Sequence, residues 1–220
     1  MVHYACANTP YPLPSTLYPL PPPMKYHIAG IIEGYSHGNF LMADDEESDL
    51  QWYSSSEHAL IPLDDRFRYP TSLRRVINQN LFTVRINGDF RAVVAGCADR
   101  DTTWISDELQ EIYWELCQAG WAYSFETWLG NELAGGILGI AIGSAFIGES
   151  MFFNIPEGSK VAMVHLVEHL RQQKFSLFDA QMTNPHLERF GAYTIDTRSY
   201  QKLLATAIEQ KCKFNSSRIG

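Results

Sequence analysis

The chain has 220 residues, enough for one full domain, or for one domain and a small companion, with a sizeable buried core. Its 45% hydrophobic and 13% aromatic content is typical of a globular protein and excludes a disordered chain. A net charge of −8 argues against indiscriminate binding to nucleic acid, although basic residues outnumber acidic ones after residue 150 and could form a local basic face.

Neither a membrane span nor a signal peptide is predicted. The apolar run 133–142 is shorter than the roughly 20 residues that cross a bilayer, and residues 1–23 lack a basic start and a continuous apolar centre. The four cysteines show no C-x-x-C spacing, which argues against a zinc site and a disulfide framework. We therefore expect a cytoplasmic protein that uses no metal and no other cofactor.

Residues 1–62 are interpreted as a small N-terminal α/β domain. Seven of the eleven prolines fall within residues 10–23, which predicts an extended, polyproline-like arm. An acidic run at residues 44–49 is typical of a solvated loop. Short strands are predicted around residues 52–54 and 59–62. Residues 63–220 are then expected to form the larger domain.

The first half of that larger domain contains two predicted strands and two predicted helices. Residues 82–86 alternate as in a strand and end at the turn Asn87-Gly88, and residues 90–97 suit a helix. Ser106 is a good N-cap for a second helix, which has acidic residues in its first turn. The buried stripe of this helix is Leu109, Ile112, Tyr113 and Leu116. Residues 122–129 form the next strand.

The second half is predicted as a hairpin followed by a crossover. Residues 133–142 and 145–153 are strands joined at Gly143-Ser144. Ser159 is the expected N-cap of a helix that runs to Lys174, and residues 175–181 form a strand parallel to the hairpin's second strand. Side chains alternate along a strand, so Asp179 and Gln181 are expected on one face, where they form a candidate polar site.

Several motifs in this order resemble the bacterial leucyl/phenylalanyl-tRNA–protein transferase family. The resemblance covers roughly residues 72–205, and its most specific part is the GESMF string at 148–152 combined with Asp179-Ala180-Gln181. The other matching motifs are Cys97-Ala98, Thr103-Trp104-Ile105, residues 124–128, Ser159-Lys160 and residues 186–191. The family transfers Leu or Phe from aminoacyl-tRNA to the N-terminal Arg or Lys of a protein, which marks that protein for degradation by the N-end rule.

The element order β-α-β-β-β-α-β is that of the acyl-CoA N-acyltransferase (GNAT) fold. We therefore expect an α+β protein in which helices flank a mixed, mostly antiparallel sheet. The sheet should splay apart between its parallel central strands.

The resemblance implies that Asp179 and Gln181 are the catalytic pair. An aminoacyl ester forms a peptide bond only when a neutral α-amine attacks its carbonyl, so the enzyme must orient the amine and relay its proton. An Asp that holds a Gln amide would leave the Gln carbonyl free to accept from the amine. The alternative is structural: Asp179 caps a loop and Gln181 satisfies backbone groups.

Glu149 and Asn184 are the expected acceptor-binding residues. A carboxylate in a largely apolar strand is costly to bury unless it is paired, and a cationic substrate N-terminus would supply the partner. An internal cation such as Lys160 or Arg189 is the alternative partner. Asn184 could add a hydrogen bond to the acceptor, but an Asn before Pro185 is more often a turn former.

The donor side chain requires an apolar slot about the size of one aromatic ring. The positions that match the family pocket are Ile137, Phe146, Gly148, Met163, Leu170 and Phe178. Gly148 is the most informative of these, because a missing Cβ lets a ligand approach the backbone. A slot of this kind separates Leu from Met by only about 1–3 kcal/mol, so Met is a further expected donor.

The tRNA is expected to meet two tryptophans and four basic residues. Trp52 and Trp104 are candidate platforms for the 3′ adenosine, and Arg74, Arg75, Lys160 and Arg189 are candidate phosphate contacts. Ordinary core packing is the alternative for Trp104. His165 and His169 stand at i, i+4 without an evident third ligand, so a metal site is not expected.

Two other functions stay open at this point. An acyl-CoA N-acetyltransferase would share the fold, but residues 153–158 offer Pro156 and Glu157 where a pyrophosphate needs backbone N–H groups. A non-catalytic module that recognises basic N-termini or tRNA ends would explain Trp52-Tyr53-Ser54-Ser55, where the family that the chain resembles usually shows two tryptophans followed by Ser-Pro. The presence of both Asp179 and Gln181 argues against that module.

Overall fold

The computed structural model describes residues 27–43 and 49–214. The predicted proline-rich arm and most of the acidic run lie outside these residues. The elements before residue 62 are α1 (Ile28–Ser36), β1 (Phe40–Met42), β2 (Gln51–Tyr53) and β3 (Glu57–Leu60). Those after it are α2 (Thr71–Asn78), β4 (Phe82–Ile86), α3 (Phe90–Ala98), α4 (Asp107–Gln118), β5 (Ala122–Leu129), β6 (Glu132–Ile142), β7 (Ala145–Phe153), α5 (Gly158–Gln172), β8 (Leu177–Asp179), α6 (Pro185–Glu188), β9 (Tyr193–Asp196) and α7 (Thr197–Ile208).

A seven-stranded mixed sheet forms the centre of the molecule, with helices on both faces. Its strand order is β4-β5-β6-β7-β8-β3-β9, and β1 pairs with β2 in a separate two-stranded sheet. The crossover through α5 makes β7 and β8 parallel, as predicted, while the other neighbouring strands are antiparallel. Pairing of β7 with β8 ends at Ile147–Asp179, while β7 continues to Phe153 with β6 as its only neighbour in the sheet. The two parallel strands therefore share only their first few residues.

The strand β3 joins the N-terminal part of the chain to this sheet. It pairs antiparallel with β9 over its whole length and with β8 at Leu60–Asp179. Backbone hydrogen bonds between Ala59 and both Ala180 and Gln181 continue this pairing past the end of β8. Residues before 62 thus complete the large sheet. The domain boundary at residue 62 stays a prediction.

Two predictions near α5 need correction. The helix begins at Gly158, not after Ser159, and its N-cap Glu157 has left-handed backbone (φ 71°) and makes no capping hydrogen bond with its side chain. Ser159 is buried instead, because the first turn packs so closely on β6 that a Cβ at Gly158 would lie 2.3 Å from the Ala134 carbonyl oxygen. The strand predicted for residues 175–181 is only Leu177–Asp179, since Gln181 is left-handed (φ 60°).

The helices divide the core between the two faces of the sheet. One cluster packs α1, α3 and α4 together with Ile140 and Ile147 of the sheet. A second packs α5 and α2 against Phe125, Phe146 and Phe178, and a third, smaller cluster packs α7 against Leu60, Ala145 and Leu177. The predicted stripe of α4 and the stripe Met163, Leu166, Val167 and Leu170 of α5 are buried as expected. Among the described residues, no helix is long and apolar enough to cross a membrane.

Candidate active site

Glu149 occupies a β-bulge in β7. Leu138 of β6 is opposite Ser150 and Gly139 is opposite Gly148, so Glu149 is the extra residue, without a partner in the register. A bulge bends the strand and re-aims a side chain, and bulges are frequent beside active sites. The bulge here lies on the part of β7 just beyond its pairing with β8. It places the Glu149 carboxylate under α4, on the same face as Asp179.

The Glu149 carboxylate is buried but has only uncharged partners. The side chain of Gln181 donates its amide N–H to Oε1 at 3.1 Å, and the Tyr113 hydroxyl donates to Oε2 at 2.9 Å. Burial raises the pKa of Glu149 to about 7, and the neighbouring hydroxyls of Tyr113 and Tyr35 and the amide of Gln181 oppose that rise. Lys160 pairs with Glu157 instead, and among the described residues no cation lies within ion-pair distance of Glu149. The predicted internal partners, Lys160 and Arg189, are therefore not its partners here.

Asp179 and Gln181 are brought together, but by a different contact from the one expected. Asp179 Oδ1 accepts the backbone N–H of Gln181 at 2.8 Å, whereas the Gln181 side-chain amide is held by Glu149. The hydrogen bond from Asp179 stabilises the left-handed backbone at Gln181, a conformation that costs a non-glycine residue roughly 1–3 kcal/mol. No hydrogen bond to the Gln181 side-chain oxygen occurs within the described chain, so this oxygen is free to accept from a substrate.

The second oxygen of Asp179 faces α7 and β3. The hydroxyl of Tyr200 donates to Oδ2 at 2.6 Å, and His58 Nδ1 lies 3.8 Å from the same oxygen. Burial, and next the charge of Asp179, raise the pKa of Tyr200 well above its usual range, so the hydroxyl keeps its proton. Hydrogen bonds therefore link Tyr113, Glu149, Gln181, Asp179 and Tyr200 in one buried chain.

The sequence analysis did not predict the aromatic side chains in and around this series of hydrogen bonds. Tyr113 was assigned only to the buried stripe of α4, and Tyr35, His58 and Tyr200 were not assigned at all. Tyr35 is buried near both the Glu149 carboxylate and the Tyr113 hydroxyl. The signal available in the sequence was weak: a tyrosine on a buried stripe needs a partner for its hydroxyl, but nothing in the pattern says which partner.

Asn184 and His186 belong to the short helix α6 that follows Asp179 and Gln181, with Asn184 as its N-cap. Asn184 Oδ1 accepts the backbone N–H groups of His186 and Leu187, each at 2.9 Å, so its oxygen serves as the N-cap of α6. That contact is the turn-forming alternative for Asn184, and a role in acceptor binding stays a prediction. Burial lowers the pKa of His186, whose ring packs edge-on against Phe190.

The six positions expected around the donor side chain lie on the α5 face of the sheet. Ile137, Phe146, Met163, Leu170 and Phe178 are 0–3% exposed, and they pack in one cluster. A Cβ at Gly148 would lie 3.1 Å from Cε2 of Phe178, so Gly148 opens towards that ring. One cavity of about 310 Å³ in the described part of the structure is lined by other residues, among them Trp121, Tyr123 and Phe214. The donor slot stays a prediction.

The residues expected to meet tRNA are spread over several elements. Trp52 is 9% exposed, and its indole lies edge-on to Tyr35 and directly over Gly34. Trp104 is half-buried and packs against the core cluster that contains Trp52. Arg74, Arg75 and Arg189 are exposed, while Lys160 is half-buried and paired with Glu157. The structure leaves the roles of these residues as predictions.

The described residues offer no obvious metal site, since no group of three or more His, Cys, Asp or Glu side chains could hold a metal ion. Arg100, for which the sequence analysis predicted no role, is a cation that contacts β7. It donates to Ser150 Oγ at 3.0 Å and to the Met151 carbonyl at 3.1 Å, next to the Glu149 bulge.

Comparisons with known proteins agree on one family. Residues 60–205 match the family described as leucyl/phenylalanyl-tRNA protein transferase, and residues 24–56 match the N-terminal domain of that family. The chain is 67% identical to the leucyl/phenylalanyl-tRNA–protein transferase of Nostoc punctiforme over 189 residues, which cover 86% of this chain and 98% of the relative. It is 69% identical to that of Trichormus variabilis over 185 residues, which cover 84% and 96%.

Among solved structures, L-PGS from Bacillus licheniformis matches with a TM-score of 0.44 and 13% identity over 71% of this chain and 66% of that chain. A similarity of that size does not define the fold. The sequence matches do define the family, because they extend over most of the chain and over nearly the full length of each relative. The chain belongs to the leucyl/phenylalanyl-tRNA protein transferases, enzymes that move an aminoacyl group from tRNA to the N-terminus of a protein.

Proposed function

We propose that Glu149, Gln181 and Asp179 form the centre at which Leu, Phe or Met passes from aminoacyl-tRNA to proteins that begin with Arg or Lys. The single observation that carries this proposal is the buried Glu149 carboxylate with no cationic partner in the described chain. Burying an ionised carboxylate without a cationic partner costs free energy, and the raised pKa of Glu149 reflects that cost. A guanidinium or ammonium group at the acceptor N-terminus would supply the missing charge.

Gln181 is then the group that orients the attacking amine. Its amide N–H is engaged by Glu149, so its carbonyl oxygen can accept a hydrogen bond from the acceptor's neutral α-amine. The amine nitrogen attacks the ester carbonyl, the amide bond forms, and the bond to the ribose oxygen of the terminal adenosine breaks. The amine loses one proton and the ribose oxygen gains one. The candidate carriers of that proton are water, the ribose hydroxyl and Asp179.

The donor side chain is proposed to enter beside Gly148 on the α5 face, among Ile137, Phe146, Met163, Leu170 and Phe178. These side chains are tightly packed, so entry requires the ring of Phe178 to move away from Gly148. The parallel strands separate next to this position, because β8 ends at Asp179 while β7 continues. A donor ester bound at the gap between the strands would have its carbonyl near Gln181 and its side chain on the opposite face.

The finer assignments belong to the same proposal. The separation of β7 from β8 and the flanking helices support a GNAT-like catalytic domain. Its proposed bounds are residues 63–220, with a smaller N-terminal domain at 1–62 that contributes β3 to the sheet. Trp52 and Trp104 would meet the 3′ adenosine, and Arg74, Arg75, Lys160 and Arg189 the phosphates. Asn184 would add an acceptor contact through its amide N–H, since its oxygen caps α6. The product would be a cytoplasmic degradation signal of the N-end rule.

The test is transfer of radiolabelled Phe or Leu from tRNA to peptides that differ only in their first residue: Arg, Lys or the neutral arginine analogue citrulline. The wild-type enzyme should prefer Arg and Lys, and acetyl-CoA should not serve as donor. Glu149→Gln should reduce the preference for Arg over citrulline by about tenfold or more, because a charge-assisted hydrogen bond contributes about 1.5–3 kcal/mol. Affinity for tRNA should change little.

Glu188→Gln is the matched control, because it removes an exposed carboxylate from α6. It should leave the acceptor preference unchanged. If Glu149→Gln lowers transfer to all three peptides equally, Glu149 has a structural role and the acceptor assignment is wrong. Saturable use of acetyl-CoA would instead favour an N-acetyltransferase.

A further inference from the structure

Tyr200 reaches the candidate site from α7, the helix that follows β9. Its side chain is 1% exposed, and its hydroxyl donates to Asp179 Oδ2 at 2.6 Å. Asp179 uses its other oxygen to hold the backbone N–H of Gln181. Tyr200 is therefore separated from Gln181 by a single carboxylate.

Gln181 needs support of this kind more than an ordinary residue would. Its backbone is left-handed, a conformation that persists in a non-glycine residue only when the surroundings enforce it. The carboxylate of Asp179 enforces it from one side, and Ala59 N–H, which donates to the Gln181 carbonyl at 3.0 Å, enforces it from the other. The direction of the Gln181 side chain follows from this backbone conformation.

The ring of Tyr200 is itself fixed by two residues from the N-terminal part of the chain. His58 of β3 stacks on it with ring centres 3.5 Å apart and planes 5° from parallel. Gly38, in the turn after α1, approaches so closely that a Cβ there would lie 2.8 Å from Tyr200 Cε1. His58 Nδ1 has no hydrogen bond among the described residues, and at 3.8 Å it is too far from Asp179 to form one. The contribution of His58 is thus its flat ring.

We propose that Tyr200 is a positioning residue for aminoacyl transfer: its hydroxyl fixes the Asp179 carboxylate, which holds Gln181 in the orientation that receives the acceptor amine. His58 keeps the Tyr200 ring in place by stacking. This inference rests on the proposed roles of Gln181 and Asp179. It also gives α7, β3 and the turn at Gly38 an indirect role in the reaction, because they fix the side chains that hold Asp179.

The first test is Tyr200→Phe, which keeps the buried ring and removes only the hydrogen bond. The value of kcat should fall on the order of ten- to a hundredfold, as expected for a hydrogen bond to a charged group. The KM for the Arg peptide and for aminoacyl-tRNA should stay within about twofold, because Tyr200 touches neither substrate. Tyr123→Phe is the matched control: its hydroxyl donates to the Gly120 carbonyl at 2.7 Å and makes no hydrogen bond to Asp179 or Gln181, so kcat should not change.

A purely structural role for Tyr200 would give a different pattern. It would lower the melting temperature of Tyr200→Phe and leave kcat of the folded enzyme unchanged. Two readouts separate the cases. In nuclear magnetic resonance spectra, the backbone amide signal of Gln181 should shift, and its hydrogen exchange should quicken, in Tyr200→Phe but not in Tyr123→Phe. In an Asp179→Ala background, Tyr200→Phe should produce no further change in that amide, because both act through one carboxylate.

His58 provides an independent check on the stacking. His58→Ala should slow transfer, and His58→Phe, which restores a flat ring, should recover most of the lost rate. Equal rates for the two variants would show that stacking on Tyr200 is irrelevant. The inference as a whole is wrong if Tyr200→Phe keeps full kcat while Gln181→Ala loses it. If Gln181→Ala itself keeps full activity, the proposed site is wrong.

Discussion

The buried Glu149 carboxylate makes a specific prediction about stability: Glu149→Gln should make the free enzyme more stable at alkaline pH. Glu149 is 8% exposed, and its partners Tyr113 and Gln181 are uncharged. A glutamine can keep both contacts, because its carbonyl can accept from the Gln181 amide and its NH₂ group can donate to the Tyr113 oxygen. The substitution therefore removes the charge and little else.

The size of the effect follows from the pKa of Glu149, which burial raises from the usual 4.5 to about 7. Between these values the folded protein binds more protons at this site than the unfolded chain does, so the free energy of unfolding falls as pH rises through the window. At 1.36 kcal/mol for each pH unit, the full loss is about 3 kcal/mol above pH 8. About 2 kcal/mol of it should appear between pH 5 and pH 8. A glutamine at this position does not titrate, so the variant does not lose this free energy of unfolding as the pH rises.

The measurement is urea denaturation of wild type and Glu149→Gln at pH 5 and pH 8. The free energy of unfolding of the variant, relative to wild type, should be about 2 kcal/mol higher at pH 8 than at pH 5. Any constant difference in packing or hydrogen bonding cancels in that comparison. Glu126→Gln is the control for replacing a buried glutamate and should destabilise the enzyme at pH 8. If the relative stability of Glu149→Gln is the same at both pH values, the carboxylate is not held in an unfavourable charged state.

Two further predictions concern packing and buried hydrogen bonds. Glu126→Gln should lower the free energy of unfolding, measured by urea denaturation, by about 1–3 kcal/mol. One Glu126 oxygen accepts from the Asp89 N–H and the Ser124 hydroxyl, and the other accepts from Trp128 Nε1, so the new NH₂ group must face a donor. An unchanged denaturation midpoint would contradict this. Gly148→Val should lower transfer of Phe more than transfer of Leu and cost about 1–3 kcal/mol, since its branches press on Phe178. An equal loss for both donors would place the donor slot elsewhere.

Local elements could be predicted from the sequence because local chemistry determines them. Ser106 accepts the Leu109 N–H as the N-cap of α4, and Asp107 and Glu108 occupy its first turn. The turn at Gly143-Ser144 joins β6 to β7, with Gly143 at φ 59°. The crossover through α5 makes its two strands parallel, and this is a general rule of chain topology.

The inner arrangement of the site could not be predicted, because it depends on contacts between distant segments. The bulge at Glu149 breaks the alternation of β7, and a period-two pattern cannot reveal an extra residue. Gln181 left the predicted strand because Asp179 and Ala59 hold its backbone in another conformation. The partner of Asp179 is Tyr200, on a helix whose docking depends on the whole sheet. The polar residue types were visible in the sequence, whereas their pairing was a tertiary property.

The position of β3 has a consequence for how the enzyme is made. A ribosome delivers β3 early, but its two neighbours, β8 and β9, come roughly 130 residues later, a delay of about 10 seconds or more at ordinary rates of synthesis. Until then the segment that pairs with Ala180 and Gln181 has no sheet to join. Nascent or truncated chains that lack these strands therefore lack a finished site, and transfer activity appears only after β8, β9 and α7 have been synthesised.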